Sequence, residues 1–187
     1  MELFLQQLEL PFLYWIQTLH HPVLDEWMVR ITCLGNGGWF WILVALLLLC
    51  FKKTRPIGIT MSISMAVGFL IGNVALKNLF ARQRPCWVDS GVALLVASPS
   101  DFSFPSGHSM VSFEGAVSIW LYNRKGGSLA LGLAALIACS RLYLFVHFPT
   151  DVLAGSILGA LTAWMVYRMQ KNRGTGSAGT FKFPLAK

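Results

Sequence analysis

The chain has 187 residues, of which 55% are hydrophobic and only 12% charged, with a mean hydropathy of +0.60. A soluble domain carries about twice that charged fraction, so the composition excludes an ordinary soluble protein and indicates one integral membrane domain. The formal charge of +7 would suit nucleic acid in a soluble protein, but basic residues gather in the cytoplasmic loops of membrane proteins, and no nucleic-acid partner is expected.

Residues 1–35 mix apolar side chains with Gln, Glu, His and Asp at short intervals, and Pro11 and Pro22 interrupt them. The pattern predicts two or three short amphipathic helices on the membrane surface. A sixth, imperfect span over 3–19 is the alternative. Five long apolar segments follow at 38–51, 57–76, 107–122, 128–146 and 151–168, each near the length that crosses a bilayer. The expected fold is therefore an all-α membrane bundle of about five transmembrane helices over 36–170. A Gly/Ser-rich, flexible cytoplasmic tail is expected over 171–187.

Lys52, Lys53 and Arg55 follow the first span, Arg124 and Lys125 the third, and Arg168, Lys171 and Arg173 the fifth. With Lys182 and Lys187 in the tail, ten of the 15 basic residues share one face by span parity. The positive-inside rule makes that face, and the C-terminus, cytoplasmic. Cys33 and Cys86 fall near the opposite face, which allows a disulfide between them. Cys50 and Cys139 lie inside apolar runs as small packing residues.

The five remaining basic residues are Arg30, Lys77, Arg82, Arg84 and Arg141. Four of them stand at the ends of spans 2 and 4 on the side where the charge rule disfavours them, and charge at membrane depth is usually paired or functional. Lys77 and Arg84, seven apart, share one face if the helix continues to Pro85, with Asn73 one turn earlier and Arg82 pointing elsewhere. Snorkelling to headgroups is the plainer account of the pair. His147 and Asp151 are four apart across Pro149. Asp151 suits the first turn of a new helix, and equally suits a carboxylate that orients an imidazole. Ser106 is a plausible helix N-cap, Gly107 a residue that relieves the turn, and His108 an interfacial polar residue. A helix start also offers free backbone N–H groups to phosphate.

Parity gathers Lys77, Arg84, Ser106, Gly107, His108, Arg141, His147 and Asp151 on one membrane face. Cations and N–H donors call for a substrate rich in anionic oxygens, and two histidines call for a nucleophile and a proton carrier. Phosphoryl transfer meets both demands. A metal site would want more His, Asp or Glu ligands than this cluster holds.

At these residues the chain resembles the type 2 phosphatidic acid phosphatase family, whose signatures are K-x6-R-P, P-S-G-H and S-R-x5-H-x3-D. The chain reads KNLFARQRP at 77–85, PSGH at 105–108 and SRLYLFVHFPTD at 140–151, with no departure at a signature position. The resemblance covers about 36–170; the N-terminal part lacks the full first span of many members. It implies a membrane-embedded lipid phosphatase with His147 as nucleophile forming a phosphohistidine, Asp151 orienting it, and His108 moving the proton. Lys77, Arg84 and Arg141, with Ser106 and the Gly107 and His108 backbone, would hold the phosphoryl oxygens. It implies no cofactor and no metal, since the cations replace it.

Expected partners are membrane lipids, with a lipid phosphate or diphosphate as substrate. Polyprenyl diphosphates, phosphatidic acid and phosphatidylglycerol phosphate all fit the chemistry, at an active face turned to the outside or periplasm of a bacterial plasma membrane. A lipid-linked phosphotransferase using the same phosphohistidine and a non-catalytic scaffold are the competing readings. Glu114 stands apart, roughly 10 Å below the surface at helical rise. It is expected to be protonated or hydrogen-bonded to Asn73, Ser64 or Ser118.

Overall fold

The computed structural model describes residues 2–176, and within them every regular element is a helix. The expected tail falls mostly outside these residues. Helices α1 (Glu2–Gln17) and α2 (Pro22–Cys33) come first. A tight turn over Asn36–Gly38 places Gly37 and Gly38 at φ 57° and 71°, a left-handed backbone that glycine adopts without steric cost. It leads into α3 (Trp39–Cys50). Helix α4 (Arg55–Gly68) passes through a π-helical stretch, Phe69–Leu76, into α5 (Lys77–Phe80), and α6 (Pro85–Val88) follows. A long loop then reaches α7 (Gly107–Tyr122), α8 (Arg124–Tyr143) and α9 (Pro149–Gly176).

By length and composition, three segments among the described residues can cross a membrane: Arg55–Val88, Arg124–Tyr143 and Pro149–Asn172. The pair α2 and α3, bent by 46°, makes a fourth if taken as one span. The five expected apolar segments fall on α3, α4 with its π-helical continuation, α7, α8 and α9, and two of these helices are short. Helix α3 is only 12 residues and reaches spanning length only if taken together with α2, part of the segment expected on the surface. Helix α7 is 16 residues and sits in the middle of the bundle, packed against α4, α8 and α9. Ser109, Ser112, Glu114 and Ser118 on it are buried, so it meets protein where a peripheral helix would meet lipid. The peripheral helices instead carry exposed Leu46, Phe69, Leu70, Leu129, Leu153 and Leu161, the apolar belt that a bilayer requires. The protein is an integral membrane protein.

Among the described residues, α1 has 16 residues and is not one of the segments long and apolar enough to cross a membrane, so the alternative span over 3–19 finds no support there. Helix α1 buries Leu13 and Ile16 against Tyr143, Leu144, Phe145, Val146 and Phe148, which places it over the turn between α8 and α9. Cys33 and Cys86 are both free thiols, so the disulfide considered above is absent.

Two close approaches position the site. A Cβ on Gly155 would lie 2.5 Å from Ser106 O, and one on Gly159 would lie 2.3 Å from Met110 O. Only hydrogen at these positions lets α9 lie directly on the first turns of α7. The backbone of Ser106 then donates to Asp151 O at 3.0 Å, locking the two helix starts together.

Candidate active site

A cavity of about 1050 Å³ opens at this end of the bundle. Lys77, Arg84, Gly107, His108, Arg141 and His147 all line it. Ser106 and Asp151 do not: both are fully buried behind the wall.

The cations arrive from three elements. Helix α5 ends at Phe80 because Ala81 turns left-handed, with φ 44°. Lys77 and Arg84 therefore do not share a continuous helical face, which corrects the reason for pairing them. They meet instead on Asp101, in the loop before α7. Lys77 Nζ donates to Asp101 Oδ2, while Arg84 Nη2 donates to Oδ1 at 2.7 Å and Arg84 Nε to the Asp101 carbonyl at 2.6 Å. Burial pushes the Asp101 carboxyl up, but the two cations outweigh it and hold it at about 2. Arg141 comes from the last turn of α8. Its Nη1 donates to Thr32 Oγ1 at 2.6 Å, and its Nε has no hydrogen-bond partner.

His147 sits on the turn between α8 and α9. Arg84 Nη1 lies 3.1 Å from its Nε2. A guanidinium has donors only, so Nε2 must carry the lone pair and Nδ1 the proton. Ser103 Oγ lies 3.3 Å from Nδ1 and donates to Asp151 Oδ2 at 2.5 Å. Asp151 Oδ2 itself is 3.6 Å from Nδ1, beyond a hydrogen bond, so Ser103 bridges the two. Asp151 Oδ2 also accepts from Phe148 N at 2.9 Å. One carboxylate thus sits at the start of α9 and, through Ser103, beside the His147 ring. Burial, then the positive charges of Arg84, Arg141 and Lys77, hold the His147 imidazole neutral, well below its ordinary pKa.

At the start of α7, Ser106 Oγ accepts from Ser109 N at 3.4 Å and from Ser109 Oγ at 3.0 Å. Its hydroxyl is the N-cap of α7, the first of the two expectations for this residue, and it is buried rather than part of the cavity lining. Gly107 and His108 do face the cavity. His108 Nε2 is 2.9 Å from Asn36 Oδ1, and a Cβ on Gly35 would lie 2.5 Å from the His108 ring. The glycine-rich turn after α2 therefore makes room for this histidine and orients it.

A profile of the PAP2 superfamily matches residues 57–175. The chain belongs to the PAP2 superfamily. It is 39% identical over 149 residues to an undecaprenyl-diphosphatase of Sulfolobus acidocaldarius, covering 79% of this chain and 71% of that one. It is 28% identical over 176 residues to a lipid A 4'-phosphatase of Bacteroides thetaiotaomicron, covering 88% and 77%. The crystal structure of a transmembrane PAP2-type phosphatidylglycerolphosphate phosphatase from Bacillus subtilis superposes with a TM-score of 0.75. That match has 29% identity and covers 89% of this chain and 86% of that one.

Around the PAP2 signatures the structure adds residues that sequence reasoning passed over. Asp101 and Ser103 lie in the loop just before PSGH, and Asn36 in the glycine turn. Arg82, read as pointing elsewhere, donates from Nη1 to Asp151 Oδ1 at 2.6 Å and from Nη2 to Glu9 Oε2 at 2.5 Å. The available signal was chemical: Arg82 is a buried-side cation with no assigned partner, and Glu9 is an acid inside an apolar helix. Glu114 lines the cavity below the cations with its Oε1 unpartnered. Ser64 donates instead to Thr60 O, and Ser118 Oγ is itself unpartnered.

Proposed function

We propose that this membrane lipid phosphatase of the PAP2 superfamily hydrolyses its substrate through a phosphohistidine on His147. Lys77, Arg84, Arg141 and the backbone N–H groups at Gly107 and His108 hold the non-bridging oxygens. The His147 Nε2 lone pair attacks phosphorus as the bond to the leaving oxygen breaks, and His108 gives that oxygen its proton. His108 then takes a proton from water, the water oxygen attacks the phosphohistidine, and inorganic phosphate leaves with His147 neutral again. This chemistry is mostly positioning and charge stabilisation, which three cations and a helix start can supply without a metal. The observation that carries the reading is the His147 ring itself: Nε2 faces Arg84 at the cavity, and Nδ1 is tied through Ser103 to Asp151.

The substrate is a lipid phosphate or diphosphate with a long apolar tail. Supporting this, the cavity continues from the cations along Ile42, Leu46, Met65, Phe69 and Leu70, of which Ile42, Leu46, Phe69 and Leu70 are exposed apolar side chains. A polyprenyl diphosphate heads the panel because the relative at 39% identity is an undecaprenyl-diphosphatase. The site opens outward, on the face opposite Lys52, Lys53, Arg124 and Lys125, with the C-terminus in the cytoplasm. Phosphate release by detergent-purified protein tests this. Release from a polyprenyl diphosphate, phosphatidic acid or phosphatidylglycerol phosphate panel should persist in EDTA and vanish in His147→Ala. Undiminished release by His147→Ala would sink the mechanism.

A further inference from the structure

We propose that Glu9 and Arg82 form a clamp that positions Asp151, so that helix α1 belongs to the catalytic apparatus. The inference rests on His147 being the nucleophile. Asp151 reaches His147 only through Ser103, so the aim of its carboxylate matters, and that aim is set from both sides. Oδ2 is fixed by Ser103 Oγ and Phe148 N. Oδ1 is taken by Arg82 Nη1 at 2.6 Å.

Arg82 is itself held on three sides. Nη1 also donates to Thr150 Oγ1 at 2.7 Å, Nη2 donates to Glu9 Oε2, and the guanidinium sits 4.2 Å above the Phe148 ring. Glu9 closes the circuit: its Oε1 accepts from Thr150 N at 2.7 Å, in the first turn of the helix that carries Asp151. A carboxylate from α1 thus holds both the arginine and the helix start. Helix α1 is pinned for this role by Leu13 and Ile16 in the core, by Gln17 Nε2 donating to Tyr143 O, and by Tyr14 donating to Asp89.

Charge makes the clamp more than a brace. Facing His147 are Lys77 from α5, Arg84 from the segment after it, Asp101 from the loop, His108 from α7, Arg141 from α8 and Asp151 from α9, with Glu9 of α1 behind Arg82. Arg82 offsets one of two carboxylates behind the imidazole. Without it, both favour the imidazolium, which has no lone pair to attack phosphorus. Without Glu9, the uncompensated arginine disfavours the imidazolium. The acid limb of the pH–rate profile therefore moves in opposite directions for the two losses.

The test uses full-length Arg82→Gln, Arg82→Lys, Glu9→Gln and His147→Ala in detergent, with phosphate release from a polyprenyl diphosphate measured across pH and folding checked by thermal unfolding. Arg82→Gln should lower kcat about 10–100-fold, leave KM within about threefold, and move the acid limb to higher pH. Glu9→Gln should lose less and move it to lower pH. Arg82→Lys should return the limb to its wild-type position with only part of kcat. A packing defect would not give opposite shifts. If Arg82→Gln does not fold, Glu9→Gln and Arg82→Lys decide the matter. Folded variants with the limb unmoved overturn the clamp while an inactive His147→Ala leaves the phosphohistidine standing. An active His147→Ala removes the premise of both.

Discussion

The two walls of the cavity are built differently. On the His147 wall both ring nitrogens and both Asp151 oxygens are engaged by protein groups: Arg84, Ser103, Arg82 and Phe148 N. Elsewhere on the lining, Arg141 Nε and Glu114 Oε1 have no hydrogen-bond partner, and Lys77, together with the other arm of Arg84, is occupied by the half-exposed carboxylate of Asp101. On the proposed mechanism the reacting group is preorganised before substrate arrives, while Lys77 and Arg84 are held together by a carboxylate whose place an anionic ligand would take. Preorganisation where charge develops lowers the barrier, because nothing has to reorient during the reaction.

The contrast can be broken first at the finished wall. His147→Ala should abolish turnover in a phosphate-release assay, and His108→Ala should nearly do so. Removing one cation of the open wall is milder: Arg141→Ala should cost roughly 10²–10³-fold in kcat/KM. Ser103→Ala, which cuts the bridge to Asp151 but leaves both partners, should cost about 10–100-fold in kcat with KM little changed. The smallest effect has the opposite sign. Asp101→Asn should weaken the internal occupant of the cradle and lower KM, and the inhibition constant of free phosphate, by about three- to tenfold. A rise in both constants would show that Asp101 helps to hold the substrate.

The pH dependence follows from the same wall. In the proposed mechanism the nucleophile is neutral His147, and its pKa is depressed by burial and by the cations around it. Activity should therefore persist below the ordinary histidine range and fall only as pH drops through the lowered value. An acid limb near the free-histidine pKa of about 6.5 would count against this environment.

Much of the site was legible because membrane sequence leaves few polar residues to explain. Lys77, Arg84, His108, Arg141 and His147 stand out singly at the ends of apolar runs, and the PAP2 spacing ordered them. What was not legible depends on contacts distant along the chain. Arg82 and Glu9 are 73 positions apart, and His108 and Asn36 are 72 apart, so no local pattern joins them. The break after α5 was hidden because Ala81, a good helix former, adopts a left-handed backbone there. Ser106 could be read two ways because the same residue type serves as an N-cap and as a phosphate ligand, and the N-cap is the contact the structure shows. The central place of helix α7 was not legible because apolar length alone does not distinguish a lipid-facing helix from one enclosed by its neighbours.

The central claim is that phosphorus passes through His147 Nε2. Rapid acid-free quenching of the enzyme during turnover of a terminally radiolabelled lipid diphosphate, followed by peptide mapping, tests it most directly. The account predicts an acid-labile, base-stable label on the peptide carrying His147, absent in His147→Ala and accumulating when His108 is replaced by Gln with a good leaving group. Turnover with no protein-bound label under those conditions, or a label on another residue, would contradict it.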